Sequence, residues 1–210
     1  MRAKIAITMG DPAGIGPEVA VLAHAREELF SRCRPVVYGD PEILRRAVLV
    51  TGVSLAIVGE AGETGPGRIA VAARSSLDPG KVPFGRPSLP GSNAMAGYIR
   101  SAAQDVLSGK VSAIVTCPIT KEGLKAAGVP FPGHTEFLAH LCGGADVVMM
   151  LAGDRLRVAL VTIHVGLRRA LELLSPALIE KTVRITDALD RKSTRLNSSH
   201  KSQSRMPSSA

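Results

Sequence analysis

The chain has no tryptophan, and aromatic residues make up only 3% of it. A core with so few large rings is filled by Ala, Gly, Val and Leu, which suits helices packed closely on a buried sheet. Cysteines number three, Cys33, Cys117 and Cys142, with no CxxC or other metal-ligand spacing. That argues against a cysteine metal centre or a disulfide framework and leaves free thiols in a reducing compartment. No apolar run approaches the length of a membrane span, and the opening MRAKIAITMG is too short and too soon interrupted for a signal peptide. The expected location is cytoplasmic, with no membrane partner. A repeat of solenoid length is absent too.

Acidic residues are missing from one stretch. Residues 191–210, RKSTRLNSSHKSQSRMPSSA, carry five basic residues and seven serines without one Asp or Glu. This tail supplies most of the net charge of +8, because the body holds 21 basic against 18 acidic residues. So even a balance removes the case for nucleic acid as a partner. The tail has no apolar periodicity and too little apolar surface to order itself, so disorder is expected. It resembles a translated sequencing adapter. On that reading it is non-native, and residues 1–190 are the N-terminal and central part of a longer protein.

What is present is an alternation of strand and helix signals. KIAIT predicts a buried strand, followed by a Gly/Pro turn and a helix from Pro17 to Phe30. PVVYG predicts a second strand, with Asp40 as N-cap of a helix from Pro41 to about Leu49. SLAIV reads as a third strand. Residues 59–91 are rich in Gly and Pro, and RIAVAA within them reads as an irregular excursion or an antiparallel edge strand. Helical spacing returns from Ser92 to Leu107, and SAIVTC is a short buried strand ending at Pro118. Helices are expected over Thr120–Ala127, Thr135–Cys142 and Ser175–Leu189. DVVMMLAG and LRVALVTIH read as adjacent strands joined at Gly153 and Asp154, with Val158–Ile163 central in its sheet. The fold class is α/β, a mixed sheet flanked by helices.

Three stretches carry chemistry. The first, GDPAGIGPEV from Gly10 to Val19, sits where a strand hands over to a helix, the place where ligands gather in open α/β sheets. Gly14 and Gly16 permit close backbone approach, and Asp11 and Glu18 suit a ribose hydroxyl or a cation better than a phosphate. Equally, Asp11 can cap a tight turn with no ligand involved. The second, TCPITKEGLKAAGVPFPGHTEFLAHL, brings together Lys121, His134, Thr135 and Glu136, which suits an anionic substrate. The same residues also make an ordinary helix start, with Thr135 as N-cap. In the third, RVALVTIHVGLRRA, His164 follows a strand and is a natural metal ligand, although one histidine makes no metal site. Ordinary structural roles are expected for His24 and His140, and solvated positions for Arg168 and Arg169.

Taken together, ITMGDPAGIGPEV, TCPITKEGLKAAGVPFPGHTEFLA and VVMMLAGDRLRVALVTIHVGLR resemble the motifs of the 4-hydroxythreonine-4-phosphate dehydrogenase family of pyridoxal phosphate biosynthesis. The opening turn is also similar to the GDGIGPE turn of isocitrate and isopropylmalate dehydrogenases, whose fold this family shares. The resemblance implies an NAD-dependent, divalent-metal-dependent homodimer acting on a small phosphorylated amino acid, the metal being zinc, magnesium or cobalt. It assigns Asp11, Gly14 and Gly16 to the cofactor cleft, His134 and Thr135 to the phosphorylated substrate, and His164 to the metal. The family's other two histidine ligands lie in motifs resembling NPHAGE and YHDQG, and neither occurs in this sequence. No residue present is assigned as general base. The implied reaction oxidises 4-phosphooxy-L-threonine at C3 and decarboxylates it to 3-amino-2-oxopropyl phosphate. With one metal ligand of three, this chain is expected to be inactive by itself. Two other readings are a paralogue acting on 4-phosphothreonate or 4-phosphoerythronate and a non-catalytic phosphate-binding fragment.

Overall fold

A computed structural model describes residues 2–62, 64–153 and 155–201, the last thirteen of them as backbone alone. The chain forms two compact units, Met1–Ala145 and Asp146–Ala210. Five strands make the sheet of the first: β1 (Lys4–Thr8), β2 (Arg34–Gly39), β3 (Ala56–Gly59), β4 (Arg68–Ala73) and β5 (Ala113–Thr116). Their spatial order is β3-β4-β2-β1-β5, and every pairing is parallel. The α/β class with flanking helices is as expected, but this sheet is not mixed. RIAVAA is neither irregular nor an antiparallel edge, since β4 lies inside the sheet between β3 and β2. Its residues Ile69 to Ala72 are all buried, as a parallel strand covered on both faces requires.

The helices of this unit are α1 (Gly16–His24), α2 (Glu27–Arg32), α3 (Pro41–Thr51), α4 (Leu89–Leu107), α5 (Lys121–Ala126) and α6 (His134–Leu141). Helix α1 packs on α3, whereas α4 lies against β1, β2 and β5 and also meets α5 and α6. One core cluster includes Met9, Val37, Tyr38, Ile43, Leu44 and Ile69. A second joins Met95 and Ile99 of α4 to Leu124 and Phe137. Side chains of this size each contribute about 1.5–3 kcal/mol when fully buried.

The single helix expected over Pro17–Phe30 is broken at Arg26, whose ψ of 117° is extended. His24 and Phe30 are both buried and meet edge to face at 5.9 Å. Six residues apart, they would point about 120° away from each other on one helix, so the break brings both to the core. Asp40 caps α3 as predicted, its Oδ1 accepting from the amides of Glu42 and Ile43.

In the second unit, β6 (Met149–Ala152) and β7 (Arg157–Leu160) pair antiparallel, followed by α7 (Leu167–Leu173) and α8 (Pro176–Lys201). The two expected strands are therefore adjacent, while Asp154 of their connection lies outside the described residues. Val158–Ile163 is not a central strand, because β7 has β6 as its one partner in this sheet and Val161 to Ile163 leave the ladder. Helix α8 continues through residues 191–201, where the sequence reading expects no order; that segment holds neither Gly nor Pro to break it. Residues 202–210 of the expected disordered tail lie outside the described residues. Among the described residues no helix is long and apolar enough to cross a membrane.

Candidate functional site

Strand order locates the site. From β1 the chain moves to β2 on one side, and from β4 it crosses to β5 on the other side of β1. The carboxyl ends of β1 and β5 thus flank the point where winding reverses, which is where an open parallel sheet leaves a crevice. Two of the three stretches singled out by sequence meet there. The amide of Asp11 donates to the Pro118 carbonyl at 3.1 Å, and the Thr120 hydroxyl donates to Asp11 Oδ2 at 2.9 Å.

Each glycine of the opening turn has its own reason. Gly10 has φ of +79°, and a Cβ there would run into the Pro118 carbonyl oxygen. At Gly16 a Cβ would collide with the Met9 carbonyl, so its missing side chain serves the seating of α1 on β1. Gly14 is less confined, its nearest neighbour being Asp11 Cβ at 3.4 Å. Asp11 is 4% exposed, and its Oδ1 accepts from the Ala13 amide at 2.9 Å. With Oδ2 held by Thr120, both oxygens serve the turn, the capping role that the sequence left open beside ligand binding. No side chain caps α1, which leaves amides of its first turn available to an acceptor. Glu18 lies in the same turn, and its Oε2 is buried without a hydrogen-bond partner.

His134 is the first residue of α6 and Thr135 the second. Thr135 is therefore not the cap; Gly133 holds that position and has no side chain to bond the amides. The His134 Nε2 is buried and unpartnered, and burial lowers the pKa of the ring below the ordinary histidine value. The imidazole is thus neutral at neutral pH. A buried nitrogen without a partner beside an uncapped helix start is chemically suited to an anion such as a phosphate monoester. Lys121 opens α5 with an exposed side chain.

His164 belongs to the second unit, is exposed, and takes a left-handed φ of 55°. Among the described residues no group of three His, Cys, Asp or Glu is arranged to hold a metal ion. The described residues therefore do not fit a metal centre by themselves. The other histidines behave as expected: His24 Nδ1 donates to the Ala20 carbonyl at 2.7 Å, and His140 rests 4.9 Å from the Phe131 ring. Arg169 pairs with Glu172 at 2.9 Å. Cys117 is buried, which pushes its thiol pKa up to about 11, while Cys142 is exposed. Thr120 is a site residue with little signal in the sequence beyond its place two residues after Pro118, and its hydroxyl meets the Asp11 turn.

A parallel sheet flanked by helices, with the Asp11 turn and Thr120 meeting where its winding reverses, defines an α/β protein with an open crevice beyond its strand ends. The chain belongs to the family described as pyridoxal phosphate biosynthetic protein PdxA, whose model matches residues 31–200. It is 43% identical over 190 residues to a 4-hydroxythreonine-4-phosphate dehydrogenase of Trichlorobacter lovleyi, covering 88% of this chain and 56% of that protein. It is 40% identical over 183 residues to a D-threonate 4-phosphate dehydrogenase of Cupriavidus necator, covering 85% and 55%. The crystal structure of a 4-hydroxythreonine-4-phosphate dehydrogenase from Burkholderia phymatum superposes with a TM-score of 0.83 at 38% identity, covering 90% of this chain and 58% of that one. The chain spans a little over half the length of these relatives.

Proposed function

We propose that the chain supplies the phosphate-contacting and cofactor-cleft part of an NAD-dependent dehydrogenase that oxidises 4-phosphooxy-L-threonine and decarboxylates it to 3-amino-2-oxopropyl phosphate. The observation that carries this reading is the buried, unpartnered Nε2 of His134 at the uncapped start of α6. The substrate phosphate accepts hydrogen bonds from that helix start, with Thr135 adding a hydroxyl contact and His134 a ring nitrogen. The first turn of α1 would meet the cofactor, with Glu18 suited to a ribose hydroxyl, Gly14 allowing close approach and Asp11 keeping the turn in shape through Ala13 and Thr120. NAD bound in that cleft would supply the hydride acceptor for C3 of the substrate. A divalent metal of the family type would take His164 as one donor and the rest from residues this sequence does not contain, so no step is assigned to it. The working form is a cytoplasmic homodimer.

A second reading has a specific observation in its favour. The similarity to a D-threonate 4-phosphate dehydrogenase is nearly as high as that to the 4-hydroxythreonine-4-phosphate enzyme, and both substrates carry the phosphate that His134 and Thr135 would contact. Turnover separates the two. Extended to the relatives' full length, the protein is expected to form NADH and carbon dioxide with 4-phosphooxy-L-threonine, and the 210-residue chain alone is expected to form none. Preference for D-threonate 4-phosphate would select the second reading. NADH from neither compound would refute both.

A further inference from the structure

Arg46 of α3 stands outside every motif, yet its guanidinium ties two separate segments to that helix. Nη2 donates to the Pro12 carbonyl of the opening turn at 2.9 Å. Nη1 donates to the Pro79 carbonyl at 3.1 Å and to the Val82 carbonyl. The guanidinium carbon also lies 4.2 Å from the centroid of the Phe84 ring. Pro79 opens a short 3-10 turn over Pro79–Lys81, with Asp78 bonding the Gly80 amide at 2.9 Å. Just beyond Phe84, the Gly85 amide donates to the Ala13 carbonyl at 2.7 Å. Residues 79–85 therefore form a strap that crosses the turn and is fastened to it twice, directly through Gly85 and indirectly through Arg46.

We propose that Arg46 is a positioning residue for the cofactor cleft, holding the strap over the Gly10–Gly16 turn and so fixing the backbone that meets the ligand. The proposal rests on the cleft reading above. A planar fork suits this arrangement: two separated Nη atoms reach three carbonyls while the flat face stacks on Phe84, whereas an ammonium would have to reach all three acceptors from a single nitrogen and has no flat face to stack. All the acceptors are neutral carbonyls, and among the described residues no carboxylate forms an ion pair with Arg46. The guanidinium is thus committed to backbone carbonyls, which suits a role in holding the turn in place.

Site-resolved amide exchange on the 210-residue chain tests the proposal. In Arg46→Lys and Arg46→Ala the amides of Ala13, Gly14 and Gly85 should exchange about tenfold faster or more, the loss expected for one charge-assisted bond, while those of α4 keep their rate. Methylguanidinium should restore protection to Arg46→Ala and ammonium should not, because only the former reproduces the fork. Unchanged exchange at these three amides, or equal rescue by both ions, would overturn the proposal. Should Arg46→Ala melt the whole fold, Phe84→Leu removes the stacking partner and leaves α3 intact. It should then loosen residues 79–85 and Gly14 selectively, and exchange indistinguishable from wild type would again refute the strap. NAD titration is the separate arm. Absence of NAD binding to the wild-type chain would count against the cleft reading, and the exchange data would still decide the role of Arg46.

Discussion

At the scale of single residues, His24 is the most demanding side chain in the first unit. It is fully buried, Nδ1 donates to the Ala20 carbonyl, Phe30 meets the ring in a T-shaped contact, and Nε2 has no partner. Burial lowers its pKa, and the bond to the Ala20 carbonyl only partly opposes this. The folded value thus lies below the unfolded value of about 6.5, and the unfolded chain takes up the proton first. Stability from this residue is present above pH about 6.5 and is lost as pH falls through it, with a slope of up to about 1.4 kcal/mol per pH unit. His134 adds a contribution of the same sign. Denaturant melts between neutral and mildly acidic pH should show this decline, and His24→Leu should flatten it in part. A second expectation concerns the opening turn. Gly16→Ala drives a methyl into the Met9 carbonyl and should cost on the order of 2–4 kcal/mol, whereas Gly14→Ala should cost about 1 kcal/mol or less. Thermal unfolding of the two variants distinguishes a packing glycine from one that is free to face a ligand.

At the scale of elements, Asp40 joins more of the structure than a helix cap normally does. Its Oδ1 holds the start of α3, and its Oδ2 accepts from the Ser75 hydroxyl and the Leu77 amide, both at 2.7 Å. Ser75 is in turn bonded to Tyr98 of α4 at 2.6 Å, so one carboxylate links a strand end, two helices and the segment after β4. Asp40→Ala should therefore cost about 3 kcal/mol or more, above the usual price of a lost cap, as chemical denaturation would measure. The cap itself was legible in the sequence, because GDP after an apolar run is a local signal. So were α3, α4, β1, β2 and the pairing of β6 with β7. The direction of β4 was not. Eight residues separate β3 from β4, a spacing that suits a hairpin loop, yet the strands are parallel with Ala56 opposite Arg68. No local pattern encodes that choice, which is made by the sheet that receives the strand. The break between α1 and α2 escaped for a similar reason, since only burial of both His24 and Phe30 reveals it. At the candidate site, the residue types His134 and Thr135 were readable, but the Asp11 to Thr120 bond joins positions far apart in sequence and has no local signature.

At the scale of the whole molecule, burial is unevenly shared. Both apolar core clusters consist of residues of the first unit. The second exposes Leu151, Leu156, Leu167, Leu171, Ile179 and Val183, with Leu167 at 80% and Leu156 at 69%. Surfaces of this kind on a soluble chain mark contacts with another polypeptide or a tendency to aggregate. The 210-residue chain is expected to self-associate in sedimentation experiments, and Leu167→Glu with Leu171→Glu should shift it toward monomer. An unchanged distribution would place the association elsewhere.

The bond between Thr120 and Asp11 spans 109 positions. During synthesis on a ribosome, the amino-terminal turn emerges long before its partner, and closing so long a loop is entropically slow. Through most of translation the nascent chain therefore carries this turn without the hydroxyl that completes it. Cofactor added to stalled nascent chains should find no finished cleft until β5 and Thr120 have cleared the exit tunnel.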